Sequence, residues 1–131
     1  MVQLEVAQRL TAKPGSREYG APSVKLAWYG SAELAGQVSR KVFWPIPNVD
    51  SALVRFRRAG SVGGEPLRNR CFEIIDAAFG QRRKTLRQAL AKVFGSPAAV
   101  SQALLVAGIA ESARGEELSI ADFVRLAEVE Q

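Results

Sequence analysis

Two hydrophobic periodicities divide the chain. From Val49 to Arg58, Ala52, Val54 and Phe56 fall on one face while Leu53, Arg55 and Arg57 fall on the other, the period-two pattern of a half-buried strand. Pro45 and Pro47 just ahead exclude helix and fix an extended entry. Glu33 to Val38 reads as a second short strand and Ser23 to Tyr29 as a short helix. At the start, Val2, Val6 and Leu10, with Leu4 and Ala7, lie on overlapping helical faces with no capping residue ahead of them. An uncapped first turn leaves amides unsatisfied, so the chain is expected to open in mid-element. Between these elements, residues 12–23 collect Pro14, Gly15, Ser16, Gly20 and Pro22 into a surface loop carrying Lys13 and Arg17.

A Gly-rich stretch at residues 59–66 reads as a linker, and everything beyond it has helical period. Cys71, Ile74, Ile75 and Ala78 form one apolar stripe; Leu86, Leu90, Val93 and Phe94 form another. Ser96 and Pro97 open a third helix, which carries Val100, Ala103, Leu104 and Ala107 and stops at Gly108. Ser119, supported by Asp122 three residues on, caps a fourth that buries Ile120, Phe123, Val124 and Ala127. The pattern predicts a sheet edge over residues 1–58, a linker at 59–66 and a small all-helical domain over 67–131.

Composition narrows the chemistry. The 131 residues, 47% apolar and 24% charged, suit one ordinary soluble core, and no apolar run approaches a membrane span, so the chain is expected to be cytoplasmic. A single cysteine, Cys71, excludes an internal disulfide framework. The absence of histidine removes Ser-His-Asp chemistry and the commonest metal ligand from this chain, and no metal is expected. The net charge of +5 is polarised. Residues 68–92 hold seven cations against two acids, whereas residues 93–131 hold two cations against six acids.

Two strings stand out. Val42 to Ser51 sets Phe43 and Trp44 beside two prolines, a stiff segment able to present a ring to an unstacked base, although composition alone places aromatic pairs in a core. Phe79 to Arg87 concentrates Arg82, Arg83, Lys84 and Arg87. On one helix Arg83, Lys84 and Arg87 would share a face suited to successive phosphates, or simply to solvent. Asp50, Glu5 and Glu18 lack the spacing of paired acid and base, Ser51 lacks a nucleophile elbow, and Cys71 sits on an apolar stripe where a buried thiol is inert.

Taken in order with the opening helix, the PGS-x-x-YG loop at residues 14–20, the F-x-P-x-P-x-V-x-S segment at 43–51, the basic F-x-Q-R-R-K-T-L-R string at 79–87 and R-G-E-x-L-S-I-x-x-F at 114–123, the chain resembles the KsgA-type ribosomal RNA adenine dimethyltransferases along nearly its whole length. The erythromycin-resistance methyltransferases share the first part, but the basic string and the ending fit the KsgA type better. The resemblance implies an α+β remnant of a Rossmann-like methyltransferase sheet followed by a small all-α C-terminal domain. It implies S-adenosylmethionine as methyl donor and two adjacent adenosines near the 3′ end of small-subunit RNA as targets, hence the 30S subunit as partner. It places Phe43 against the flipped adenine, overriding the core assignment from composition. It assigns RNA contacts to Arg82, Arg83, Lys84 and Arg87, with Lys13 and Arg17 beside them. No histidine is needed, because stacking and hydrogen bonds to the N6 amine suffice to align it with the donor methyl.

The family's Gly-rich donor loop after the first strand, the acidic residue for the donor ribose and the Asn-Leu-Pro-Tyr motif have no counterpart in this sequence. The chain is therefore expected to supply target-base and RNA-binding elements and to bind no donor by itself. Two rival readings remain open at this stage: a stand-alone ribosomal RNA-binding module, and a protein-interaction role for the helical part with its basic face merely solvated.

Overall fold

The computed structural model describes residues 1–60, 62–81 and 83–129. The chain does not begin in a helix. Val2–Gln3 form β1, pairing antiparallel with Ala52 and Ser51, and α1 follows over Leu4–Leu10. The first helical amide is not orphaned, since Leu4 N–H donates to the Asp50 carbonyl at 3.0 Å. This corrects the expectation of an uncapped opening: a partner distant in sequence takes the place of a local cap.

Helix α2 spans Ala21–Tyr29, two residues earlier than its apolar pattern suggests, because Pro22 is tolerated in the first turn. Ser23 is buried yet satisfied, its Oγ accepting Gly20 N–H at 3.1 Å and donating to the Arg9 carbonyl, so the start of α2 is tied to the end of α1. β2 (Gly30–Val38) follows directly and pairs antiparallel with β3 (Ser51–Arg58), giving the sheet order β1-β3-β2. The immediate reversal from α2 into β2 requires glycine. A Cβ on Gly30 would lie 2.1 Å from the Arg57 carbonyl oxygen. β2 is thus longer than the Glu33–Val38 expected from pattern, and a bulge between Leu34 and Gly36 shifts its register against β3.

Helix α3 (Glu65–Gly80) begins inside the stretch read as linker, again with proline in its first turn. Its stripe of Cys71, Ile74, Ile75 and Ala78 is buried as the period demands. The next stripe is not one helix but two short ones, α4 (Leu86–Ala89) and α5 (Ala91–Phe94), broken at Leu90 by a backbone at φ −95°, ψ 1°. The two pieces aim Leu86, Leu90 and Phe94 into the core. α6 (Pro97–Ala107) starts as its sequence prescribes, with Ser96 Oγ accepting Ala99 N–H at 3.1 Å, and ends on Gly108 in the left-handed conformation at φ +74°. α7 (Ile120–Glu128) is capped reciprocally, Ser119 N–H donating to Asp122 Oδ2 at 3.0 Å while Ser119 Oγ accepts Asp122 N–H at 3.4 Å.

One buried cluster joins Tyr19, Val24 and Trp28 to Ile74, Ile75, Leu86, Leu104, Phe123 and Leu126, so the core runs across the 59–66 stretch rather than stopping at it. α2 is the shared element, packed against β2 on one side and against α3 and α7 on the other.

Candidate functional site

The β2–β3 connection carries the two-aromatic, two-proline string. Its ends are cinched together. Arg40 N–H donates to Asp50 Oδ1 at 2.9 Å, the Arg40 guanidinium donates to the Asn48 carbonyl at 3.1 Å, and Ser39 Oγ accepts Lys41 N–H at 3.2 Å. Asp50, which the sequence offers only as a scattered carboxylate, thus braces the loop with its side chain and α1 with its carbonyl. Inside the brace, Phe43 is extended (φ −103°, ψ 150°) and half-buried, while Trp44, followed by a cis bond to Pro45, is 91% exposed. The core role that composition suggested for these rings is therefore corrected: both lie in a loop beyond the strand ends, outside the buried cluster.

The basic string also departs from expectation. Arg83 and Lys84 are exposed on the turn between α3 and α4, not on a helix, with Lys84 N–H bonded to the Gln81 carbonyl at 3.0 Å. The single helical face expected for Arg83, Lys84 and Arg87 does not form, because α3 ends at Gly80 and α4 starts only at Leu86. Arg87 is engaged elsewhere: its Nε donates to Ser101 Oγ at 2.9 Å and lies 3.8 Å from Glu111, to which Ser101 is also hydrogen-bonded. Arg82 lies outside the described residues. Neither Arg83 nor Lys84 has an ion-pair partner among the described residues.

Lys13 and Arg17 are exposed on the loop after α1. That loop is fastened to the segment before α7, by Gly15 N–H to the Glu116 carbonyl at 2.7 Å and by the buried Tyr19 hydroxyl to the Leu118 carbonyl at 2.7 Å. The Tyr19 ring meets Phe79 edge-on at 5.9 Å, just ahead of the Arg83–Lys84 turn. The two basic segments therefore flank one aromatic contact. Burial, with the Asp122 carboxylate adding to it, pushes the Tyr19 hydroxyl up to about 12. The loop bearing Phe43 is elsewhere. It abuts the N-terminal end of α1 and the Lys13 loop leaves the other end, so the length of a seven-residue helix, about 10 Å, separates them.

A third feature was not singled out from sequence. A cavity of about 200 Å³ lies where β3 passes through Gly60, Gly63 and Gly64 into α3, lined by Arg58, Arg68, Glu65, Trp28 and Tyr29. The strand–glycine–helix order is that of many cofactor loops, but two arginines against one carboxylate make a net-positive lining. A sulfonium donor carries its own positive charge, and these residues do not suit it. Among the described residues no group of three or more Cys, Asp or Glu side chains could hold a metal, and no helix is long and apolar enough to cross a membrane. Cys71 is fully buried on α3, and burial pushes its thiol up to about 11, away from nucleophilic use.

The fold matches about half of each of two solved methyltransferase chains. It superposes on a dimethyladenosine transferase from Plasmodium falciparum with a TM-score of 0.78 at 19% identity, over 95% of this chain and 53% of the other, and on the 23S rRNA methyltransferase ErmE with a TM-score of 0.67 at 25% identity, over 96% and 51%. The sequence profile of the family described as ribosomal RNA adenine dimethylase matches residues 1–131, and the chain belongs to that family. Proteins named ribosomal RNA small subunit methyltransferase A are similar to it: that of Leifsonia xyli is 62% identical over 97% of this chain and 46% of its own length, and that of Kineococcus radiotolerans 58% identical over 97% and 42%. The chain thus spans a little under half the length of these relatives.

Proposed function

We propose that this chain is the target-base and RNA-binding part of an S-adenosylmethionine-dependent enzyme that dimethylates two adjacent adenosines near the 3′ end of small-subunit ribosomal RNA, working on the 30S subunit in the cytoplasm. The observation that carries the reading is the family match over the whole chain together with a braced loop that holds Phe43 out of the core. Phe43 stacks on the extruded adenine, replacing its lost neighbours in the RNA. Arg83 and Lys84 meet phosphates from one side of the Tyr19–Phe79 contact, and Lys13 and Arg17 from the other, positioning the RNA without reading its sequence; Arg82 is assigned to the same role from sequence alone. Arg87 contributes less, because Ser101 and Glu111 already hold it. In this reading residues 1–58 belong to the methyltransferase domain and residues 67–131 to the RNA-facing helical domain. The donor is held by residues other than those of this chain. The high identity to small-subunit enzymes, against a more distant likeness to ErmE, favours the small subunit over 23S RNA as substrate.

The test is methyl transfer from labelled S-adenosylmethionine to under-methylated small subunits, using this chain alone and this chain mixed with the portion of a relative that it does not match. Incorporation only in the mixture is expected. Incorporation by the chain alone would refute the division of labour, and none in either case would refute the assignment of this chain to the target-binding role.

A further inference from the structure

The ring beside Phe43 has no role in the reading above, and its setting is unusual. Trp44 is 91% exposed, whereas the other tryptophan, Trp28, is buried at 5%. A tryptophan is seldom left so bare, since it offers the largest apolar surface of any side chain. Yet the loop beneath it is no floppy excursion: the Arg40–Asp50 and Arg40–Asn48 hydrogen bonds close it, and prolines at 45 and 47 stiffen it. The loop that carries the ring is closed at its base.

Its neighbours say what it is held out for. Arg40 and Lys41 are both exposed, and no carboxylate pairs with either side chain among the described residues; Asp50 spends its Oδ1 on the Arg40 main chain. A bare aromatic face interleaved with unpaired cations, on a support already ordered, is the chemistry of a stacking platform for single-stranded nucleic acid. Phe43 is half-buried and Trp44 bare, so the two adjacent rings stand in different surroundings and Trp44 is free to take a base of its own.

We infer that Trp44 stacks on a second, unpaired RNA base flanking the one taken by Phe43, with Arg40 and Lys41 on the adjoining phosphates. The inference rests on the RNA-binding reading above and adds a base contact to it. Stacking of this kind tolerates any base, so Trp44 contributes grip and orientation of the strand rather than choice of sequence.

The test titrates the chain with a single-stranded oligoadenylate of about ten nucleotides, long enough for one such groove, and follows tryptophan fluorescence and affinity in parallel. The wild-type chain is expected to bind with quenching of its exposed indole. Trp44→Ala should weaken binding about ten-fold, while Trp44→Phe, keeping a ring, should stay within about two-fold and lose the quenching. Because the side chain is exposed, both variants should keep the wild-type circular dichroism and melting temperature. Salt-sensitive binding that neither quenches the indole nor responds to Trp44→Ala would overturn the inference and leave the RNA-binding reading standing; no binding by the wild-type chain would overturn both. If Trp44 instead covers a protein surface, wild-type chain will self-associate on sedimentation, Trp44→Ala will abolish this, and oligoadenylate affinity will not change, which also overturns it.

Discussion

The helical part and the sheet of this molecule use apolar residues in opposite ways. Phe123, Ile74, Ile75, Leu90 and Leu126 are wholly buried in the cluster built by the helices, whereas Leu34, Leu53 and Phe56 on β2 and β3 are each more than 40% exposed. β1 covers β3 only at Ser51 and Ala52, and no strand among the described residues lies along the same edge from Leu53 to Arg58. Arg55, Arg57 and Arg58 on that stretch discourage a second copy from pairing there. Stability is thus concentrated in the helices, and the ring proposed to act on RNA sits on the region with least burial.

The contrast can be broken most directly by truncation. Phe123→Ala should cost about 3–5 kcal/mol in urea unfolding, since it empties a fully enclosed space beside Phe79. Phe56→Ala should cost about 1 kcal/mol or less, its ring already being partly solvated. Equal losses would mean that the sheet face is as well packed as the helices.

Alkali should attack the helical side next. The folded chain holds the Tyr19 proton to about 12 and the Cys71 proton to about 11, against ordinary values of 10.0 and 9.0. Between those limits the unfolded chain releases protons that the folded one retains, so stability present below pH 9 falls as pH rises from about 9 to 12. Tyr19→Phe with Cys71→Ala should flatten that slope in melts taken across the window; an unchanged slope would place the alkaline sensitivity elsewhere.

The smallest effect on stability is expected from Arg83→Glu with Lys84→Glu, within about 0.5 kcal/mol, because both lie exposed on a turn. Their effect on RNA is expected to be large by comparison, lowering affinity and reducing the salt slope by about one for each phosphate no longer neutralised. A drop in stability with RNA affinity unchanged would return these residues to a structural role.

Where the sequence carries local stereochemistry, it was legible. Ser96, Pro97 and Gly108 bound α6 and Ser119 and Asp122 cap α7 through contacts within a few residues, and the period of Cys71, Ile74, Ile75 and Ala78 marks the face of α3 that is buried. What it did not disclose depends on distant partners. The pairing of β1 with β3, the Asp50 carbonyl serving α1, and the break that turns Leu90 inward are settled by tertiary packing. Local periodicity carries no trace of them. The candidate site divides in the same way. The F-x-P-x-P and Q-R-R-K strings were conspicuous, and the exposure of Trp44 and the diversion of Arg87 to Ser101 and Glu111 were not, since both follow from where loops cross.

The clasp between Tyr19 and Leu118 sets a schedule for synthesis. The hydrogen bond joins residues 99 positions apart, and Phe123 and Leu126 complete the cluster that Val24 and Trp28 begin. As the chain emerges from the ribosome, α3 can cover part of α2 early, but the rest of its apolar face stays open until α7 has cleared the exit, so a pause in translating the stretch between α3 and α7 lengthens the time in which chaperones and proteases can reach it.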